Sequence, residues 1–183
     1  AILVSYSAIY VVVLGIYYKL QTFVFMPTNG IIQGIRPLVG YNYGAKEYKR
    51  VNKIYKLTLS LSLIIMIAGT FLCFVFPKEI MGLFTTNEET LNAGIVALRI
   101  ISISFVFSSL SLTSGGVLEG LGMGIPSLII SLCRYVVIIL PCAYILSSLL
   151  GPTGVWHAFW STEVFAAMIS LFIYKKKKKD LFD

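Results

Sequence analysis

Long apolar segments dominate the hydrophobic pattern of this chain, and short polar stretches separate them. Residues 57–77 hold no charged side chain, and residues 125–148 are interrupted only by Arg134. A helix that crosses a membrane needs about 20 mainly apolar residues. Residues 1–8 are too few to span, and we interpret them as the tail of a sixth helix that begins upstream. The pattern predicts five spans, over residues 9–42, 57–77, 91–118, 125–148 and 155–174.

The composition agrees with a protein whose solvent is lipid. Hydrophobic residues make up 57% of the chain, charged residues make up 13%, and the mean hydropathy is +0.86. A soluble domain carries about 25% charged residues, so a chain with half that share cannot cover its surface with polar groups. We therefore expect an all-α fold, a polytopic membrane helix bundle with about five transmembrane helices.

Helix-breaking residues are concentrated in the second half of the first span. Proline removes a backbone donor, and a backbone group freed at membrane depth needs a partner inside the protein or in a wet cavity. We expect the helix to be broken near Pro27 and Gly30, as in proteins that move something across the membrane. Glycines four residues apart also permit close helix packing in lipid. The residues assigned to helix breaking or packing are Pro27, Gly30, Gly34, Pro37, Gly40 and Gly44.

Basic residues indicate the orientation of the spans. Residues 44–56 hold five basic side chains against Glu47, and Lys175–Lys179 form a run of lysines near the C-terminus. Four predicted spans separate these two segments, so both should lie on the same face, and positively charged loops stay in the cytoplasm. We therefore expect a multi-pass protein of the cell membrane with a cytoplasmic C-terminus.

Several charged residues lie inside the spans or at their ends. A charge near the bilayer centre costs about 2.5–3.5 kcal/mol on insertion scales. Lys19 lies about 15 Å into its span, and we expect it to face a cavity or a carboxylate. Glu163 can be neutral or paired with a cation, which suits a coupled ion-transfer step and a structural hydrogen bond equally well. Arg134 is expected to anchor two helices, whereas Arg36 and Glu119 are expected to position or gate near the membrane surface.

The sequence contains no pattern that predicts an enzyme or a metal centre. It has no glycine-rich phosphate loop with its lysine, and no His/Ser pair. Cys73, Cys133 and Cys142 fall in apolar runs, where free cysteine packs as a small hydrophobe. We expect no catalytic residue, metal or cofactor, so any pumping would draw on an ion gradient. The lysine run is expected to attract anionic membrane lipids and not nucleic acid.

Motifs in order along the chain resemble those of one transporter family. They begin with Gly15-Ile16-Tyr17-Tyr18-Lys19-Leu20-Gln21, Phe25-Met26-Pro27, Gly30-Ile31-Ile32-Gln33-Gly34 through Pro37, and Gly40-Tyr41-Asn42-Tyr43-Gly44-Ala45. They continue with Leu98-Arg99-Ile100, Leu121-Gly122-Met123-Gly124, Arg134 through Pro141, and Gly154-Val155-Trp156. The ordered set resembles the multidrug and toxic compound extrusion (MATE) transporters, in particular members from Firmicutes, over nearly the whole chain.

The resemblance implies a twelve-helix transporter in which two lobes of six helices enclose a cavity that opens alternately to either side. Residues 1–183 would be the second lobe, and their partner would be the N-terminal lobe of the same protein. Family members are antiporters that export cationic, amphipathic compounds in exchange for H⁺ or Na⁺. The resemblance therefore implies small cationic organic substrates and one of these two coupling ions.

The candidate site residues follow from the charges in the spans and from the resemblance, which places the first span beside the cavity. The substrate or cavity candidates are Lys19, Gln21, Gln33 and Arg36. The candidates for a coupling or buried charge are Glu163, Glu119 and Arg134. Two other functions stay open: a flippase for lipid-linked saccharides or polysaccharides with the same architecture, and a membrane scaffold that transports nothing. A flippase should have a more cationic, lipid-accessible groove.

Overall fold

The apolar segments of the sequence fold into five helices that are long and apolar enough to cross a membrane. The computed structural model describes residues 2–182, with side chains described as far as Lys179. No strand occurs among these residues, which confirms the expected all-α class. A 3-10 turn, Leu3–Ser5, precedes the helices, and a π-helical turn, Cys133–Val137, joins two of them. The helices are α1 (Ala8–Gly44), α2 (Tyr48–Val75), α3 (Pro77–Gly82), α4 (Glu88–Gly120), α5 (Gly124–Leu132), α6 (Ile139–Leu150) and α7 (Pro152–Phe182).

Helix α1 is continuous, so the expected break near Pro27 and Gly30 is wrong. Pro27 and Pro37 both lie inside one uninterrupted helix. Each proline removes a single backbone donor. An open break in lipid would leave several backbone groups without partners, and small local adjustments of a helix cost less than that. Helical backbone is therefore retained on both sides of each proline.

Helix α4 forms the centre of the bundle and packs against α1, α2 and α7. Its many serines are buried, and several of their hydroxyls donate to carbonyls of the preceding turn. Ser108 Oγ donates to the Ser104 carbonyl at 2.9 Å, and Ser111 Oγ donates to the Ser108 carbonyl at 3.1 Å. These bonds satisfy small polar side chains without a ligand, and the small side chains let the neighbouring helices come close.

Glycine packing joins α1 to α4 near one end of both helices. A Cβ atom added at Gly120 would lie 2.9 Å from the Arg36 carbonyl oxygen and 2.9 Å from Val39 Cβ. A Cβ atom added at Gly40 would lie 3.1 Å from the Gly120 carbonyl oxygen. The predicted packing role therefore holds for Gly40. For Gly30, Gly34 and Gly44 it stays a prediction, because an added Cβ atom would meet nothing within 4 Å in the described chain.

A π-helical turn interrupts the fourth span, between α5 and α6. The Ile138 amide donates to the Cys133 carbonyl at 3.0 Å, which is one residue farther back than in an α-helix. Pro141 follows one turn later. It has no amide for the Val137 carbonyl, and its ring crowds that carbonyl. The turn carries Arg134 with 4% of its surface exposed and Tyr135 with 61% exposed.

The two basic segments lie at the same end of the bundle. Lys178 Nζ donates to Asn52 Oδ1 at 2.8 Å, and the rings of Tyr55 and Tyr174 stack with centroids 4.0 Å apart. This geometry confirms that an even number of spans separates the basic loop from the lysine run. That this end faces the cytoplasm stays a prediction.

Candidate functional site

One open face of the bundle holds a polar groove along α1. The groove has a volume of about 480 Å³. Its walls combine amides and a hydroxyl with two aromatic rings and a methionine, and none of its described lining residues is charged. The lining residues are Gln21, Thr22, Phe25, Met26, Asn29, Gly30, Gln33 and Tyr135.

An apolar groove of about 450 Å³ lies beside the polar groove. It is bounded by the first residues of the described chain, α1, α6 and α7, and its described lining residues are likewise uncharged. Tyr135 lines both grooves and therefore stands where they meet. The lining residues are Ile2, Leu3, Val4, Val11, Leu14, Tyr18, Tyr135, Ile139, Leu140, Ala143, Val155 and Phe159.

A buried ion pair lies behind this face. Arg134 Nε donates to Glu163 Oε1 at 2.5 Å, and Arg134 Nη2 donates to Ser108 Oγ at 3.3 Å. Only 4% of Arg134 and 7% of Glu163 are exposed. The second carboxylate oxygen, Oε2, is buried and makes no hydrogen bond to the described residues. The sequence left Glu163 as either neutral or paired, and the structure shows the paired form.

Aromatic rings connect the ion pair with the polar groove. The Arg134 guanidinium lies 5.7 Å from the Phe25 ring centroid and 5.0 Å from the Tyr135 ring centroid. Both rings line the polar groove. A cavity of about 40 Å³ between the groove and the pair is lined by Gln21, Tyr135 and Glu163, among others. A cation in the groove would thus be separated from the pair by one layer of side chains, a distance over which charges interact strongly in a poorly solvated interior.

A second ion pair lies between α1 and α4, nearer the end with the basic segments. Arg36 pairs with Glu119, and Ser127 Oγ donates to Glu119 Oε1 at 2.7 Å. The side chains of Arg36 and Glu119 are about 40% exposed, so their ion pair contributes little to stability. Arg36, Glu119 and Ser127 line a cavity of about 100 Å³ that reaches Arg134 of the buried pair. This arrangement suits the expected positioning or gating role better than direct contact with a substrate.

The predicted substrate residues divide into three groups. Gln21 and Gln33 line the polar groove, as a cavity role requires. Arg36 lies outside it, in the second ion pair. Lys19 is exposed, forms no ion pair with a described residue and lines neither groove, so its predicted role has no contact to support it. Tyr135 was missed, although an aromatic residue directly after an arginine inside a span is a usable signal.

Comparison with known proteins identifies the family. The MatE family model matches residues 1–145, which is most of the chain. The chain belongs to the MatE family. This confirms the family that the ordered motifs predicted, one whose members are multidrug efflux transporters and not enzymes. Among the described residues, no three His, Cys, Asp or Glu side chains come together as a metal site would require.

Curated relatives of this MatE chain include multidrug export proteins of staphylococci. MepA from Staphylococcus aureus (strain bovine RF122 / ET3-1) is 25% identical over 159 residues, which are 87% of this chain and 35% of MepA. MepA from Staphylococcus haemolyticus (strain JCSC1435) is 26% identical over 159 residues, again 87% of this chain and 35% of MepA. The MatE chain therefore spans about a third of the length of these relatives.

Solved MATE transporters share the fold of this chain. The MATE multidrug transporter DinF-BH, solved in complex with a bound compound, matches with a TM-score of 0.83 and 31% identity over 93% of this chain and 38% of DinF-BH. VcmN from Vibrio cholerae, in its bent form, matches with a TM-score of 0.92 and 20% identity over 98% of this chain and 41% of VcmN. The packing of the five membrane helices in the MatE chain is thus one that experimental structures contain.

Proposed function

We propose that this chain forms one lobe of a secondary active antiporter that exports cationic or amphipathic organic compounds in exchange for H⁺ or Na⁺. The substrate cavity would lie between this lobe and a second one and would open alternately to the two sides of the cell membrane. The C-terminal lysine run would lie in the cytoplasm. Family membership supports this proposal, as do curated relatives that are multidrug export proteins and the related multidrug transporter DinF-BH.

The observation that carries the proposal is the junction of two uncharged grooves at Tyr135. Ligand sites typically have volumes of about 300–1,000 Å³, apolar walls and a few polar groups. An amphipathic compound would place its apolar part in the apolar groove. Its polar or charged part would lie in the polar groove. There, amides and aromatic faces would stabilise a cation, although no acidic side chain is among the described lining residues.

The buried ion pair is the proposed coupling element. Glu163 can lose its interaction with Arg134 by binding H⁺ or Na⁺ instead, because each of these neutralises a buried carboxylate. Arg134 would then be free to move, and with it the ring of Tyr135, which lies beside its guanidinium. Binding of H⁺ or Na⁺ to Glu163 would thus move the Tyr135 ring at the junction of the two grooves, where the substrate binds.

The grooves do not favour a flippase for lipid-linked saccharides. A flippase substrate carries anionic phosphates and needs cationic side chains along its path. Neither groove is lined by a lysine or an arginine in the described part of the chain.

The proposed function is tested by substituting Tyr135 in the full product of the gene that encodes this chain. We expect Tyr135→Ala to weaken the apparent affinity for ethidium at least about fivefold, since a cation over an aromatic face gains about 1–2 kcal/mol in a partly dry site. The measurement is ethidium efflux from an efflux-deficient bacterium, compared at equal protein levels in the membrane.

Tyr144→Ala is the matched control. Tyr144 is also an exposed tyrosine of the fourth span, with 71% exposed, but it lines neither groove. We expect its efflux to equal that of the unsubstituted protein. Equal efflux by all three proteins would remove Tyr135 from the substrate site. No efflux by the unsubstituted protein would contradict the proposed function itself.

A further inference from the structure

A second kind of groove lies on the outside of the bundle, between α5 and α7. We name it the lysine-edged groove. It has a volume of about 220 Å³ and no acidic lining residue among those described. Pro126, Ile129, Phe172 and Ile173 form its apolar walls, while two lysines stand at one end. The full lining is Pro126, Ile129, Phe172, Ile173, Lys176 and Lys177.

The position of this groove matches a membrane–water interface. Its lysines belong to the run at the end of α7, at the same end of the bundle as the contact between Lys178 and Asn52. Phe172 lies four residues before Lys176, which is about 6 Å deeper along the helix at 1.5 Å per residue. Phe172 is 69% exposed and Ile129 is 45% exposed, as apolar residues facing lipid tails would be.

The chemistry of the groove selects its occupant. Lysines at the end of a membrane span extend their ammonium groups to the level of the lipid head groups, where they attract anionic lipids. The apolar walls below them suit an acyl chain and no soluble anion. A zwitterionic head group would bring its own cation toward the two ammonium groups and lose most of the attraction.

We propose that the lysine-edged groove binds one anionic phospholipid from the leaflet that borders the C-terminal end of α7. The phosphate lies between Lys176 and Lys177, and one acyl chain lies against Phe172 and Ile173. This proposal requires only that the chain spans a membrane, and it does not depend on the transported substrate.

The test measures binding of fluorescent phosphatidylglycerol and phosphatidylcholine to the purified full gene product in detergent micelles. We expect saturable binding of phosphatidylglycerol, and at least tenfold weaker binding of phosphatidylcholine. The double variant Lys176→Gln/Lys177→Gln should weaken phosphatidylglycerol binding by about tenfold to thirtyfold, from about a fivefold loss for each charge removed.

Two further variants separate a built site from diffuse attraction. Lys175→Gln/Lys179→Gln removes the same charge from the same run but lies outside the groove, and it should change the affinity less than threefold. Ile129→Trp fills the groove with the charges intact, and it should weaken binding as much as the first double variant does.

Three results would overturn the proposal. Equal losses in the two lysine variants would indicate diffuse attraction to the whole run. Unchanged binding in Ile129→Trp would place the lipid elsewhere, and this variant decides the matter even if the lysine variants fold poorly. Equal binding of the two lipids would indicate an apolar surface without head-group selection.

Discussion

Arg134 and Glu163 are the residues on which the proposed mechanism depends most. Both are almost completely buried, and their ion pair is held by Ser108. A buried pair of this kind adds little net stability, but removal of one partner typically costs about 3–5 kcal/mol because a buried charge is left alone. Stability and transport can therefore be separated by comparing single and double substitutions.

We expect Arg134→Met to lower the thermal unfolding temperature in detergent strongly, and Arg134→Met/Glu163→Gln to recover most of it. The double variant leaves no unpaired charge, and its side chains have similar volumes. Efflux of ethidium should nevertheless stay lost in the double variant, because the Glu163 carboxylate that is proposed to bind the coupling ion is gone. Normal efflux by a stable double variant would show that the pair is structural only.

Lys19 is the predicted substrate residue with the least support from the fold. It is exposed and lines neither groove. The cavity role predicted from the sequence implies that Lys19→Ala loses efflux while its level in the membrane stays normal. Surface substitutions usually change stability by less than about 0.5 kcal/mol, so expression should not be affected. Retained efflux would remove Lys19 from the mechanism and leave the family assignment intact.

Charge alone identifies many residues of the candidate site, but not their partners. Glu163, Arg134, Arg36 and Glu119 are recognisable because ionisable side chains are costly in a span and need a reason to be there. The pairings Arg134–Glu163 and Arg36–Glu119 depend on which helices touch, and a single sequence does not contain that information. Tyr135 directly follows Arg134 in the sequence, but only the structure shows that Arg134 is buried while Tyr135 is exposed and lines both grooves.

At the level of the helices, α1 forms most of the polar groove and packs against α4. Gly120 lets the two backbones approach, since an added Cβ atom would lie 2.9 Å from the Arg36 carbonyl oxygen. We expect Gly120→Ala to destabilise the protein by about 1–3 kcal/mol, the usual cost of overpacking, because a backbone atom has to shift. The measurement is thermal unfolding in detergent.

Gly34→Ala is the control for this substitution. Gly34 lies on α1, the helix that packs against Gly120 of α4, but a Cβ atom added at Gly34 would meet nothing within 4 Å in the described chain. Its replacement should leave stability unchanged or raise it by up to about 1 kcal/mol through helix propensity. If both variants unfold at the temperature of the unsubstituted protein, the close contact at Gly120 has no energetic importance.

The sequence predicts the number and the centres of the spans well, and their interruptions poorly. Four of the five predicted spans lie within the observed membrane-length helices, whereas the span predicted over residues 57–77 extends two residues past the end of α2 at Val75. It predicts a break in α1, where Pro27 and Pro37 are accommodated, and it misses the π-helical turn before Pro141. The amino-acid composition of a segment determines the free energy of its transfer into lipid, and this is why the spans can be predicted from the sequence. Whether a proline is accommodated depends on packing against neighbouring helices, which composition does not report.

At the scale of the whole molecule, the open face is the feature that links the fold to transport. The two grooves, the junction at Tyr135 and the buried pair behind it all lie toward this face. The chain spans about a third of the length of the curated relatives that it matches. We propose that a second lobe covers the face and completes the cavity, as the resemblance to two-lobed transporters implies.

Ethidium accumulation in an efflux-deficient bacterium that expresses the full gene product tests the central claim most directly. It is measured with and without an ionophore that collapses the H⁺ or the Na⁺ gradient. The proposed antiport predicts low accumulation, which rises to the level of cells with an empty vector when one gradient is collapsed, and the effective ionophore identifies the coupling ion. Accumulation equal to the empty-vector level throughout, with the protein confirmed in the membrane, would contradict drug export and favour the flippase.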